Sequence, residues 1–120
     1  MVKAIKSDDE YYRILASSSK VVIQWSAVWC SHCKAIAPKL AEYDEDFADI
    51  TFIKVDVDEF PEVSEKAGLR AMPTFHFYLN GLKADELVGA DNAKLIQHIN
   101  RLASEMSVPA HSYLLLPLSK

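Results

Sequence analysis

Two sulfurs separated by two residues are the most reactive constellation in this chain: Trp29-Cys30-Ser31-His32-Cys33-Lys34, holding its only two cysteines. At the start of a helix this spacing puts both side chains on neighbouring positions of the first turn, close enough to bridge with little backbone movement. Cys30 would sit just before the helix, where unpaired amides and the macrodipole favour negative charge. A thiolate is stabilised there, and the thiolate is the attacking species in disulfide exchange. Cys33, one turn further in, is less accessible and suited to resolve a mixed disulfide. The chemistry therefore assigns Cys30 as nucleophile and Cys33 as resolving thiol. A structural zinc site is disfavoured, because it needs four ligands. His32, His76, His98 and His111 would have to complete it, and His76 and His98 fall on a strand and the last helix. A cluster shared between two molecules through paired cysteines is the metal reading left over, and no bound metal is expected.

Several elements must position this pair. Ser7-Asp8-Asp9-Glu10 reads as a capping box ahead of a helix over 8–17, with Tyr11, Ile14 and Leu15 at helical spacing. The Tyr11–Tyr12 pair reads as ordinary packing. Val21-Val22-Ile23-Gln24-Trp25-Ser26-Ala27 has the composition of a strand buried on both faces. A tight loop over 29–34 then leads into a helix to about residue 48. Its inner face is Ile36, Ala37, Leu40, Tyr43 and Phe47, with a kink expected at Pro38. Strands are expected over 51–57 and 74–79, with a short helix from Pro61 to Gly68 between them. Asn80-Gly81 predicts a hairpin into a strand over 83–88. Leu95, Ile96, Ile99, Leu102, Ala103 and Met106 stripe a last helix capped by Asp91. A weak strand over 2–5 opens the order. Strands alternating with helices and closing on a hairpin predict an α/β fold: a mixed central sheet flanked by helices on both faces.

The 120 residues fit one domain, and half of them are hydrophobic, which supplies a core. A formal net charge of −4 argues against general affinity for nucleic acid or an anionic membrane. No apolar run is long enough to cross a bilayer, and the start, MVKAIKSDDE, turns acidic where a signal peptide would be apolar. The expected location is a reducing compartment, the cytosol, where close cysteines mean redox or metal chemistry rather than a staple. The domain is expected over 1–107. The tail over 108–120, with Tyr113-Leu114-Leu115-Leu116-Pro117-Leu118, either folds back or docks on a partner or second copy. A monomer is expected, with a tail-mediated dimer as the alternative.

Taken together, these residues resemble the thioredoxin family over roughly Ser7 to Met106. The matching pieces are Val21–Trp25, Ala27-Val28-Trp29-Cys30, Cys33-Lys34-Ala35-Ile36-Ala37-Pro38, Lys54-Val55-Asp56-Val57-Asp58, Met72-Pro73-Thr74, Asn80-Gly81 and Gly89. A lone CxxC is weak; the ordered set is strong. The resemblance implies the thioredoxin fold and a Cys30–Cys33 disulfide. It implies a cis Pro73 facing the dithiol, with Met72 offering backbone groups to an extended substrate and Gly89 nearby. It also implies protein disulfides as substrates and a reductase using NADPH as electron donor. The dinucleotide belongs to that partner, since this chain has no glycine-rich binding loop and binds no cofactor of its own.

Two positions depart from the family pattern. Ser31-His32 replaces the usual Gly-Pro, and a histidine before the second cysteine looks like the disulfide isomerase and periplasmic oxidase motifs. Imidazole there would stabilise the reduced thiolate and raise the potential. Gln24 stands where the family carries a buried aspartate beneath the resolving cysteine, and glutamine cannot accept a proton at neutral pH. Deprotonation of Cys33 is then expected to be slower, and Lys54 to lack its carboxylate partner. Trp29 is expected to shield the dithiol and offer contact area to substrate, whereas Trp25 is core. Asp56, Asp58 and Glu59 read as a solvated strand end, and Met72 as partly exposed. The expected activity is disulfide oxidoreduction, with an isomerase or oxidase role, or a non-catalytic adaptor, as rivals.

Overall fold

The computed structural model describes residues 2–108; the apolar tail segment lies outside them. In chain order the elements are β1 (Lys3–Ala4), α1 (Asp8–Ser17), β2 (Lys20–Ser26), α2 (Ser31–Asp46), β3 (Thr51–Asp56), α3 (Pro61–Ala67), β4 (Thr74–Leu79), β5 (Leu82–Val88) and α4 (Asn92–Ala103). The five strands form one sheet in the order β1-β3-β2-β4-β5. β1, β3 and β2 run parallel, and β4 and β5 continue antiparallel. The expected mixed sheet with helices on both faces is what forms.

Strand alternation explains why β2 is buried at every position. Val21, Ile23 and Trp25 point to one face and pack with Ile53 and Val55 of β3, Tyr11 of α1 and Val63 of α3. Val22 points to the other, with Phe52, Phe75, Phe77, Ile36 and Leu40 of α2, and Leu95, Ile99 and Leu102 of α4. Each core is closed by a pair of helices, so the central strand never meets water.

The local signals behave as their chemistry requires, with a few shifts. Ser7 caps α1 by accepting from the Glu10 amide at 3.0 Å. Glu10, however, reaches back to the Lys6 amide at 2.7 Å, one residue before the cap. β1 is shorter than expected, and β2 begins at Lys20. α2 starts at Ser31, so Cys33 and Lys34 belong to the helix and not to a loop; it passes Pro38 and ends at Asp46. Gly68, at φ 69°, ends α3 in the left-handed conformation. Asp91 caps α4 by accepting from the Lys94 amide at 3.1 Å. Met106 does not join the α4 stripe: it lies beyond the helix and is exposed. Asn80 ties this exit to the hairpin, donating to the Met106 carbonyl and accepting from the Val108 amide. Tyr12 is exposed while its neighbour Tyr11 is core.

Candidate active site

β2 delivers the chain to the edge of the sheet, residues 27–30 turn, and α2 begins. Cys30 is the N-cap of α2, in an extended conformation (φ −91°, ψ 105°), and its sulfur accepts from the Cys33 amide at 3.1 Å. The Cys30 carbonyl accepts from the Lys34 amide at 3.3 Å. A sulfur thus occupies the place a serine or aspartate oxygen usually takes at a helix start, where amides and dipole favour an anion. Cys30 and Cys33 are joined as a disulfide with their Cα atoms 5.3 Å apart. Residue burial does not separate them, at 5% and 3% exposure. What distinguishes Cys30 is the backbone amide directed at its sulfur.

Around the disulfide the surface is apolar. Ala27 and the two cysteines form a small cluster against which Met72 and Val57 pack, so Met72 is half-buried, as expected. Val28 and Trp29 are exposed, Trp29 by 66%. The Trp29 indole is fixed because its Nε1 donates to Asp58 Oδ2 at 2.8 Å. The acidic run after β3 is therefore more than a solvated strand end. Asp58 anchors the tryptophan, and Asp56 Oδ1 accepts from the Asp58 and Glu59 amides at 2.9 and 3.3 Å, holding the turn. Sequence reasoning missed both, since only the fold brings residue 58 to residue 29.

The Met72–Pro73 peptide is cis, as the resemblance implied. Pro73 is buried, and its carbonyl accepts from the Gly89 amide at 2.9 Å. Gly89 has φ 106°, a conformation that side-chain-bearing residues rarely adopt, which accounts for glycine there. Gly89 supports Pro73 from the sheet edge.

Behind the disulfide, Gln24 is buried and its Nε2 donates to the Cys33 carbonyl at 3.3 Å. Lys54 is its register partner on β3, exposed, with no ion pair among the described residues. Ser31 and His32 are exposed in the first turn of α2, and no hydrogen bond joins His32 to either sulfur among the described residues. The sequence grouping of Cys30, Cys33, Trp29, Met72, Pro73 and Gly89 is brought together, while His32 is exposed and makes no hydrogen bond to the pair among the described residues.

His76 and His98 lie elsewhere, and His111 falls outside the described residues. His76, 1% exposed on β4, has Nδ1 3.0 Å from Trp25 Nε1 and Nε2 3.0 Å from Glu86 Oε1. An indole can only donate, so Nδ1 is the acceptor and Nε2–H faces the carboxylate. Burial foremost, and the charge of Lys83, hold its pKa below the ordinary histidine value against the opposing pull of Glu86. His98 Nδ1 is 2.5 Å from Asp85 Oδ2, which also accepts from Arg101 at 2.7 Å. No three His, Cys, Asp or Glu side chains among the described residues group closely enough to hold a metal ion.

Comparison with known proteins agrees with this geometry. A thioredoxin family model matches residues 2–101. Thioredoxin-1 of Schizosaccharomyces pombe is 46% identical over 95 residues, covering 79% of this chain and 92% of that protein. Thioredoxin 1 of Plasmodium falciparum is 41% identical over 104 residues, covering 87% and 100%. Among solved structures, Plasmodium falciparum thioredoxin superimposes with a TM-score of 0.82 at 41% identity, over 83% of this chain and 98% of that one. Malassezia sympodialis thioredoxin gives 0.82 at 38%, over 87% and 92%. With its paired cysteines in that framework this is a protein thiol–disulfide oxidoreductase, and the chain belongs to the thioredoxin family.

Proposed function

We propose that the chain reduces disulfides in protein substrates through a Cys30 mixed disulfide that Cys33 resolves. The observation that carries the division of labour is the Cys33 amide donating to Cys30 Sγ at the entrance of α2. It stabilises the Cys30 thiolate, whereas no hydrogen bond is directed at Cys33 Sγ among the described residues. The thiolate attacks one substrate sulfur and expels the other as a thiolate. Cys33 sulfur then attacks Cys30 Sγ, the Cys30–substrate bond breaks, and the second substrate sulfur leaves. Two electrons pass from the dithiol to the substrate, and a reductase drawing on NADPH restores the dithiol.

The substrate lies along Met72 and Pro73 in a short strand-like pairing, with Trp29 and Val28 as the apolar ground beside it. The half-buried Met72 beside the disulfide and the Gly89-supported Pro73 favour this placement. His32, exposed one residue before Cys33, raises the reduction potential above that of a Gly-Pro thioredoxin. A reducing compartment, the cytosol, suits the pair. No helix among the described residues is long and apolar enough to cross a membrane. A domain over 1–107 is supported by the end of α4 at Ala103 and the tie of Asn80 to the Met106 carbonyl.

The test is trapping. The Cys33→Ser protein mixed with a disulfide-bearing protein such as insulin is expected to accumulate a reducible covalent adduct at Cys30. Cys30→Ser is expected to accumulate none. An adduct formed by Cys30→Ser alone reverses the assignment.

A further inference from the structure

The parallel register sets Gln24 beside Lys54 and Ser26 beside Asp56. Residues two apart on a strand share a face, so these four side chains form a polar square on the α2 side of the sheet. With Cys33 and Lys34 of α2 they line a cavity of about 160 Å³ directly behind the resolving cysteine. Roughly 10–15 Å³ of such space holds one water, so the cavity is roomy enough for a short water chain. Gln24 Nε2 is committed to the Cys33 carbonyl, and an amide cannot take a proton at neutral pH. The one carboxylate on the lining is Asp56. Its Oδ1 is fixed by the Asp58 and Glu59 amides. Its Oδ2 has no hydrogen-bond partner among the described residues. The charged groups that share the lining with it are Lys54 of its own strand and Lys34 of α2; in the following turn Asp58 and Glu59 reach it through their amides, and the Asp58 carboxylate accepts from Trp29. β2 contributes only uncharged Gln24 and Ser26.

We propose that Asp56 is the proton acceptor for the Cys33 thiol in the resolving step, through water held in this cavity. The inference rests on Cys33 being the resolving thiol. In the mixed disulfide Cys33 carries S–H. Its proton passes along the water to the Asp56 carboxylate as Cys33 sulfur attacks Cys30 Sγ. The Cys30–Cys33 bond forms and the Cys30–substrate bond breaks. The electron pair leaves on the substrate sulfur, which is protonated by solvent, and Asp56 later returns its proton to solvent. Lys34 and Lys54 offset the negative charge that accumulates between the carboxylate and the sulfur. With Gln24 on β2, the carboxylate of this cavity is carried by β3, on the same face.

The experiment uses the reduced full chain and the aromatic disulfide dithiobis(nitrobenzoate), followed by stopped flow. One thionitrobenzoate leaves when Cys30 attacks, and a second leaves when Cys33 resolves the adduct. Asp56→Asn keeps an Oδ1 for both turn amides but removes the proton acceptor. The first release is expected to be unchanged. The second is expected to slow about 10-fold at neutral pH, below the usual ~10²–10⁴ of a positioned base because solvent reaches the cavity past exposed Lys34 and Lys54. Raising the pH should recover that loss. Adding Gln24→Asp to Asp56→Asn should restore the second release, since a carboxylate returns to the same cavity. A second release unaltered in Asp56→Asn overturns the inference. So does one that is slowed and not restored by Gln24→Asp, because the loss is then structural. Cys33→Ser separates the two levels: it should give one release only, and two releases would overturn the resolving assignment itself.

Discussion

A sulfur at a helix N-cap behaves differently from a sulfur in solution, and most of the chemistry here follows from that substitution. Cys30 Sγ accepts the Cys33 amide in the place where an oxygen would cap α2. On the proposed reading, His32, two residues along the chain from Cys30, adds to how strongly the reduced form is favoured. His32 is exposed, so the influence proposed for it on Cys30 would be electrostatic and screened by salt. The expected potential lies above about −270 mV, toward about −180 mV, and His32→Pro is expected to lower it. A glutathione titration of both proteins checks this, and equal potentials would remove His32 from the account. The CxxC pair was legible, because its meaning depends on near neighbours, and Gln24 became legible only through the family resemblance. Asp58 was not, because its partner Trp29 is 29 positions away and nothing local connects them.

Elements hold these residues in place through their ends as much as through their faces. β2 begins with Lys20, buried at the start of the central strand, whose Nζ donates to the Ala103 carbonyl at 2.8 Å. A cation is thereby set against the negative end of the α4 dipole, satisfying a carbonyl that the helix itself cannot. Lys20→Met keeps the stem and removes the donor. It should cost about 1.5 kcal/mol, in the range for hydrogen bonds to charged groups, with exchange activity unaffected. The midpoint of a urea titration measures the cost. Element existence was readable from period and capping: α1, α2, α3 and α4 all stand where Ser7, the CxxC, Pro61 and Asp91 placed them. Their ends were less so. α2 begins at Ser31, since helical hydrogen bonding already includes the Cys30 carbonyl. Met106 has helical spacing but lies past the α4 cap.

Across the whole molecule, buried Trp25 and His76 and exposed Glu86 form a hydrogen-bonded relay that links the central strand to the edge of the sheet. His76 is neutral in the fold, with its pKa pressed down chiefly by burial. Protonation would also set Nδ1–H against the indole N–H. The unfolded chain takes up this proton below about pH 6.5 and the folded chain resists it. Stability therefore falls as pH drops from about 6.5 toward the lowered folded value, by up to about 1.4 kcal/mol per pH unit. A second loss follows in the carboxylate range. Burial pushes Asp85 and Glu86 up, but the His98 and Arg101 contacts of Asp85, and the Lys83 and His76 contacts of Glu86, outweigh it and leave both low. Denaturation followed between neutral and mildly acid pH should show the first loss, and His76→Gln should flatten it; an unchanged slope would assign the proton to another group. The amino-acid sequence by itself determined the layered α/β fold, the redox pair and the side of the helix it opens, because periodicity, caps and a two-residue spacing act over a few positions. Tertiary structure alone decided which distant groups share a space: Asp58 with Trp29, His76 with Trp25, and Asp56 with Cys33 behind the disulfide. Those meetings depend on strand register and helix packing, which set contacts between residues that no local pattern relates.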